Sequence, residues 1–468
     1  MEKVKYQPLY MQVRNSLLEK IVNGEYVPNV PLPAEAVLAE NFGTSISTIR
    51  QAVSTLVSDG ILVRRQGKGT YLSERKKRIS FFTWIPETPG GEKYIKEIVE
   101  RFEVKFPNLA VDIIPTTYPE AKNKLSKLIS SGCAPDIAQI VSHWTSSFAS
   151  TGSFEPLEKL LPKDHFAKRS NIQEMEGGFY NGKLYSAAWG YSPLALIANK
   201  KVLEKSGLSE IPPLFTLDDF SNICTLIQTS QGSKGVKPYA ISTSMEEADF
   251  LRIYPFLQAF GGKLVDDGNK IVLNSDENIR AFKWLKDFHE KHNLFYGDIF
   301  SIRKAFAEDE IAFITDGPWI KLWLEDLTGR PFDEKFKVVL NPVFSGTRSV
   351  SWNYNHALAV CSQSRNKIFA GKFIDSITMD SDIAGWYYRH SGQLPISKED
   401  RNVLSSEDDF FKGFSKQLEG SKCLRSDNAY FEKALEFCID AVHKIVFEDA
   451  DIPRELAEKE YYLNILYK

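Results

Sequence analysis

Between residues 28 and 71 two short helical patterns are split by Gly43 and followed by a strand, a basic glycine-rich turn and a second strand. Few folds accept that order in so few residues, and a helix-turn-helix closed by a hairpin is the compact solution. Ile46, Ile49, Val53, Leu56 and Val57 recur at helical spacing and are expected to face a small core. Thr44 and Ser45 are N-cap residue types, which leaves Ser47, Thr48 and Arg50 on the first exposed turn. Free amides and the dipole at a helix N-terminus favour phosphate, so hydroxyls and an arginine there suit a DNA groove. The turn Arg64-Arg65-Gln66-Gly67-Lys68-Gly69-Thr70 is expected to lie as a wing along the duplex backbone or minor groove. The DNA-binding candidates are Ser45, Ser47, Thr48, Arg50, Arg64, Arg65, Gln66, Gly67, Lys68 and Thr70.

At 468 residues the chain has room for more than one domain and an ample core. Residues 1–78 carry 12 Lys/Arg against 7 Asp/Glu, whereas the rest carries 46 against 54. A basic head on an acidic body fits nucleic-acid binding by the head alone. The segment Met1–Tyr6 has no apolar signal core, and no stretch approaches the roughly 18 apolar residues of a membrane span. The five cysteines (Cys133, Cys224, Cys361, Cys423 and Cys438) are scattered without a C-x-x-C pair, which predicts reduced thiols and neither disulfide nor zinc. The expectation is a cytoplasmic protein with no membrane contact, metal or cofactor.

The head residues resemble the GntR family of bacterial winged-helix regulators over roughly residues 6–72. Leu32-Pro33, Leu38-Ala39-Glu40, Thr48-Ile49-Arg50-Gln51-Ala52 and Gly67-Lys68-Gly69-Thr70 fall at that family's spacings. Where the family usually carries arginines this chain has Ala36 and Ile46, and Arg50 alone of that trio is present. The resemblance therefore implies either a different operator or weaker DNA binding.

Beyond the polar run Ser73–Arg78, read as a linker, the pattern changes. Ile79–Trp84, Ala110–Ile114 and Pro135–Val141 read as strands, alternating with helical patterns that carry Tyr94, Ile98, Phe102 and Phe106, then Leu125, Leu128 and Ile129. This alternation predicts a parallel sheet in an α/β fold, where ligands collect at loops after the strand C-termini. That order resembles the carbohydrate class of bacterial extracellular solute-binding proteins, including maltodextrin-binding proteins. Its marks are Phe102–Asn108, Gly132–Ile137, Gly152–Leu157, Tyr180–Tyr185, Asn199-Lys200, Phe306 through Gly317-Pro318-Trp319, and Gly392–Pro395. The resulting expectation is a multidomain chain: an α+β winged helix (1–72), a linker (73–78) and an α/β two-lobe body like a type 2 periplasmic binding protein (79–468). By resemblance one lobe is about 79–190 plus 336–378, and the other about 192–334 plus 379–468.

A sugar offers apolar faces and a rim of hydroxyls, so its site needs aromatics beside polar side chains. Trp84 and His143-Trp144 end predicted strands, and Trp319 falls where maltodextrin-binding relatives stack a sugar. His143 lies near a sugar-binding aspartate of those relatives, and Ser192 replaces a glutamate. Trp189 and Tyr191 lie at the first crossover, and the segments Ser351-Trp352-Asn353-Tyr354-Asn355 and Asn428-Ala429-Tyr430-Phe431 reach the cleft by family position. Trp386, Tyr387 and Tyr388 read as packing, Asp136 as a structural carboxylate, and His289 and His292 as surface residues.

No G-x-S-x-G, H-E-x-x-H or G-x-x-x-x-G-K-[ST] occurs, so the reading is not an enzyme. The expected function is a homodimeric transcription regulator whose operator binding is modulated by a carbohydrate, an oligosaccharide, between two lobes. The alternatives are an aminotransferase-like or sugar-active enzyme fused to the same head, and a transport-associated solute-binding protein.

Overall fold

The computed structural model describes residues 8–466 apart from 23, 163–164, 167–168, 170–176, 209, 245–246, 267–269, 345 and 424–430. The head is α1 (Leu9–Val22), α2 (Glu35–Asn41), α3 (Ile46–Ser58) and the hairpin β1 (Leu62–Arg65) and β2 (Gly69–Leu72). Gly43 takes a positive φ of 57° in the turn before α3, and Ser45 caps that helix by accepting the Thr48 N–H at 3.2 Å. Ile49, Ala52, Val53 and Leu56 are buried with Val13, Leu17, Leu18 and Ile21 of α1. Ile46 differs from expectation. It lies on the same stripe but is 44% exposed, because the stripe runs past the edge of this small core at the first turn.

Strand β3 (Lys77–Thr83) begins inside the segment read as linker, with the Lys77 N–H donating to Asn108 O at 2.8 Å. The head does not hang from a free tether. Helix α1 lies against the helix Lys367–Met379, and Ile21, Val22, Tyr26 and Leu72 face Phe106 and Phe369 across a cavity of about 180 Å³.

In the first lobe β3 pairs parallel with β4 (Leu109–Pro115) and with β5 (Ile137–Val141), as the strand–helix alternation predicts. The sheet then turns mixed, since His356–Val360 runs antiparallel to both β5 and Ser186–Gly190. The second sheet is mixed too, in the order Phe295–Gly297, Lys237–Ser242, Ile311–Asp316, Ala195–Asn199, Phe336–Val339. Two boundaries shift from the expected lobes. Phe336–Val339 pairs with Ala195–Asn199 and so belongs to the second lobe, and the helix Ala384–Ser391 packs on α4 (Gly91–Lys105) of the first.

The lobes are joined where three crossing segments bond to one another. The Tyr191 N–H donates to Leu394 O at 3.0 Å, the Ser192 N–H to Asn353 Oδ1 at 2.8 Å, and the Ser192 hydroxyl to Gln393 Oε1 at 2.7 Å. Asp136 anchors the first sheet from inside, accepting the Ser80 N–H at 2.8 Å and the Ser364 hydroxyl at 2.5 Å. His292 is not on the surface: the helix Asp276–Lys291 ends with its ring turned in against Phe288, bonded to the Ser221 hydroxyl at 3.0 Å. None of the five cysteines is in a disulfide.

Candidate functional site: an interlobe cleft and a basic head

Between the lobes lies a cavity of about 280 Å³. The first lobe lines it with Trp84, Glu87 and Tyr118, the crossing segment with Tyr354 and His356, and the second lobe with Arg252, Asp298, Phe300, Arg303, Trp319 and Trp323. Trp84 is set at the end of β3 because its N–H and the Thr83 hydroxyl both donate to buried Gln139, at 3.2 and 2.5 Å. Its indole meets Tyr118 and His356 edge to face at 5.5 and 5.3 Å. The Tyr118 and Tyr354 hydroxyls hydrogen-bond to each other across the floor.

The second lobe builds its wall on Asp316, the last residue of its central strand and fully buried. The carboxylate accepts the Trp319 indole N–H at 2.8 Å, the Gly317 N–H at 2.9 Å, Arg303 at 2.9 Å and Arg252 at 3.2 Å. Burial alone would raise the Asp316 carboxyl, but the Arg252 and Arg303 guanidiniums outweigh it and hold it below the usual carboxylate range. The turn needs glycine at 317, where a Cβ would stand 2.3 Å from the Trp319 ring. His356 has its pKa pushed down to about 4 by burial, so near pH 7 its ring is neutral.

The other candidates fall into separate shells. Trp144 stands behind the cavity wall, parallel to Tyr118 at 6.1 Å, and His143 and Trp352 lie deeper, 5.7 Å apart and both buried. Tyr191, Ser192 and Asn353 form the crossing segments, away from the lining. Trp189 is on the other side of its sheet, stacked on Tyr387 at 4.5 Å with its N–H donating to Ile377 O. Tyr430 lies outside the described residues. Sequence reasoning missed Tyr118, Arg252, Arg303, Asp316 and His356, whereas Tyr354 lies in the Ser351–Asn355 loop expected near the cleft. Asp316 had a usable signal, a carboxylate between an apolar strand and the Gly-Pro-Trp turn; the arginines sit in helices with nothing to mark them.

On the head, Ser45, Ser47 and Thr48 form a hydroxyl cluster at the start of α3, with both Ser45 contacts at 2.8 Å. Arg50 stands one turn on. Arg64 and Arg65 flank the wing, whose tip Gln66-Gly67-Lys68 is exposed; Gly67 takes φ 70° and Tyr71 donates to Lys68 O at 2.9 Å. Arg65 lies over the Tyr71 ring at 4.5 Å, and Thr70 O accepts the Leu32 N–H at 2.8 Å.

Two α/β lobes with mixed sheets, joined by crossing strands around an aromatic cleft, define a two-lobe sugar-binding-protein fold, here preceded by a winged helix. The chain belongs to the bacterial extracellular solute-binding protein family, which it matches over residues 97–405, and residues 9–72 match the bacterial regulatory proteins of the gntR family. Neither family is catalytic. Among solved structures, an ABC transporter solute-binding protein from Thermotoga lettingae with bound alpha-D-tagatose is 21% identical, with a TM-score of 0.75 over 84% of this chain and 100% of that one. The GacH receptor of Streptomyces glaucescens, solved unliganded and with acarbose, is 20% identical, with a TM-score of 0.74 over 84% and 99%. The HTH-type transcriptional repressor NagR of Bacillus subtilis is 48% identical over 69 residues, 15% of this chain and 28% of that protein. A probable fructoselysine utilization operon transcriptional repressor of Shigella flexneri is 39% identical over 100 residues, 21% and 41%. The chain thus spans less than half the length of these curated relatives. No helix among the described residues is long and apolar enough to cross a membrane.

Proposed function

We propose that this chain is a cytoplasmic, homodimeric transcription regulator whose operator affinity is set by a carbohydrate bound between its lobes. The observation that carries the reading is the pairing, in one chain, of a winged-helix head with a cleft walled by Trp84 from one lobe and Trp319 from the other. Such walls stack on sugar faces, while Asp298, Glu87 and the arginines offer groups for the hydroxyl rim. Because Asp316 already engages Arg252 and Arg303 and His356 is neutral, the cleft suits an uncharged ligand. Its volume of about 280 Å³ lies just below the roughly 300–1,000 Å³ usual for small-molecule pockets, which limits the ligand to few sugar units. Tagatose and acarbose in the fold neighbours, and repressors among the head's relatives, point the same way.

A ligand that prefers the closed lobes shifts the chain toward that form, and linkage requires sugar and DNA to alter each other's affinity by one factor. Typical couplings of about 1–3 kcal/mol correspond to roughly 5–150-fold. The test is to titrate a carbohydrate panel by tryptophan fluorescence, with and without a saturating duplex selected by the protein from random sequence. A common sugar affinity in both titrations overturns the coupling. Sedimentation of the protein–duplex complex tests the dimer, with two chains per duplex expected.

A further inference from the structure

Two of the cations that the head offers to DNA share one acidic partner. Glu35 is the first residue of α2, and its carboxylate stands between α3 and the wing. Oε2 accepts the Arg50 Nε–H at 3.0 Å, and Oε1 accepts a terminal N–H of Arg64 at 3.4 Å. The same Arg64 nitrogen also donates to the Ser54 hydroxyl on α3 at 3.1 Å. One carboxylate thus ties together helix α2, the recognition helix and the first wing strand.

Stability is a poor reason for this arrangement. The Arg50 side chain is 62% exposed and the Glu35 side chain 29%, and ion pairs so placed add little to a fold. Toward DNA the carboxylate is costly, because it repels phosphate and cancels attraction from the cations beside it. Its use is geometric. With Nε held by Glu35, the Arg50 guanidinium is fixed in orientation and its two terminal nitrogens remain to form the fork that reads a guanine edge. With Arg64 also drawn to Glu35, fewer cations are available to any phosphate at random.

We propose that Glu35 is a positioning residue that sets DNA specificity, aiming Arg50 at a base edge while lowering the head's attraction for unrelated duplex. Specificity is a difference between two affinities, and this carboxylate acts on both sides of it. The proposal rests on the head reading DNA through α3 and its wing.

The test uses the full chain carrying Glu35→Gln, with Arg50→Ala as control, on two duplexes: one selected by the wild-type protein from random sequence and one scrambled. Glu35→Gln is expected to bind the scrambled duplex more tightly, with a salt dependence steeper by about one to two units as Arg50 and Arg64 turn to phosphates. Preference for the selected duplex should fall at least about fivefold, the lower end of what one bidentate arginine–guanine contact discriminates. Equal weakening on both duplexes would show a merely structural carboxylate and overturn the proposal. So would an unchanged preference and salt slope in Glu35→Gln while Arg50→Ala loses preference, an outcome that leaves the DNA-reading surface standing. If Arg50→Ala also changes nothing, the reading surface itself is misplaced and the proposal falls with it.

Discussion

The indole of Trp319 lies parallel to the imidazole of His356, with 5.6 Å between ring centres and 4° between planes. One ring belongs to the second lobe and the other to a crossing strand of the first sheet, so the pair joins the two walls of the cleft. Trp319→Ala should therefore weaken carbohydrate binding by about 1–3 kcal/mol, as loss of a stacking anchor does. Isothermal titration with the carbohydrate found by screening checks this. An unchanged affinity would place the ligand elsewhere.

Asp316 should matter more to the fold than to the ligand directly. Its carboxylate serves Arg252, Arg303 and Trp319 from a fully buried position. Asp316→Ala removes the charge those arginines share and is expected to cost about 3–5 kcal/mol. The readout is thermal unfolding of the second lobe. A melting temperature within a degree of wild type would contradict the role given to this carboxylate.

Acid should destabilise the protein through His356. Burial lowers its folded pKa from about 6.5 to about 4, so between those values the unfolded chain binds the proton and the folded chain does not. The stabilisation is complete above pH 6.5 and is lost as pH falls toward 4. The shift corresponds to about 3 kcal/mol. Melting curves at pH 7 and pH 5 should separate more for wild type than for His356→Gln; equal separations would assign the acid sensitivity to other groups.

At the wing, Lys68→Ala should flatten the salt dependence of DNA binding by about one unit per head, with little change in sequence preference. Arg50→Ala should instead lower specific binding more than non-specific binding. Filter binding over a salt series distinguishes the two, and identical behaviour of both variants would mean that helix and wing are not separate readers.

Much of this architecture was legible in the residues, and for reasons that can be named. The head was legible because Gly43, the Ser45 cap and the basic hairpin are local signals. Trp84 was legible as a cleft residue because it follows a strand end, and Trp319 through the resemblance, at the position where maltodextrin-binding relatives stack a sugar. Trp189 was harder: it too closes on a crossover, but strand alternation sends its ring to the opposite face of the sheet, against Tyr387. Phe336–Val339 joins the other lobe than its sequence position suggests, because a short apolar strand carries no mark of the sheet it enters. The docking of the head was invisible for a related reason. Val22 and Leu72 look like ordinary members of the head's own core, and nothing in their spacing shows that Phe106 and Phe369 lie beyond them.

That docking fixes which part of the protein is stator and which is rotor. The reading helix α3, the wing and the first lobe form one frame, packed through α1 against the helix Lys367–Met379. Any turn of the second lobe about Tyr191–Leu194 and its partner segments would be a turn measured against that frame, and so against the winged helix packed on it. Under the proposed function, a sugar that closes the lobes would therefore change where the second lobe stands beside the duplex, not how the head meets it.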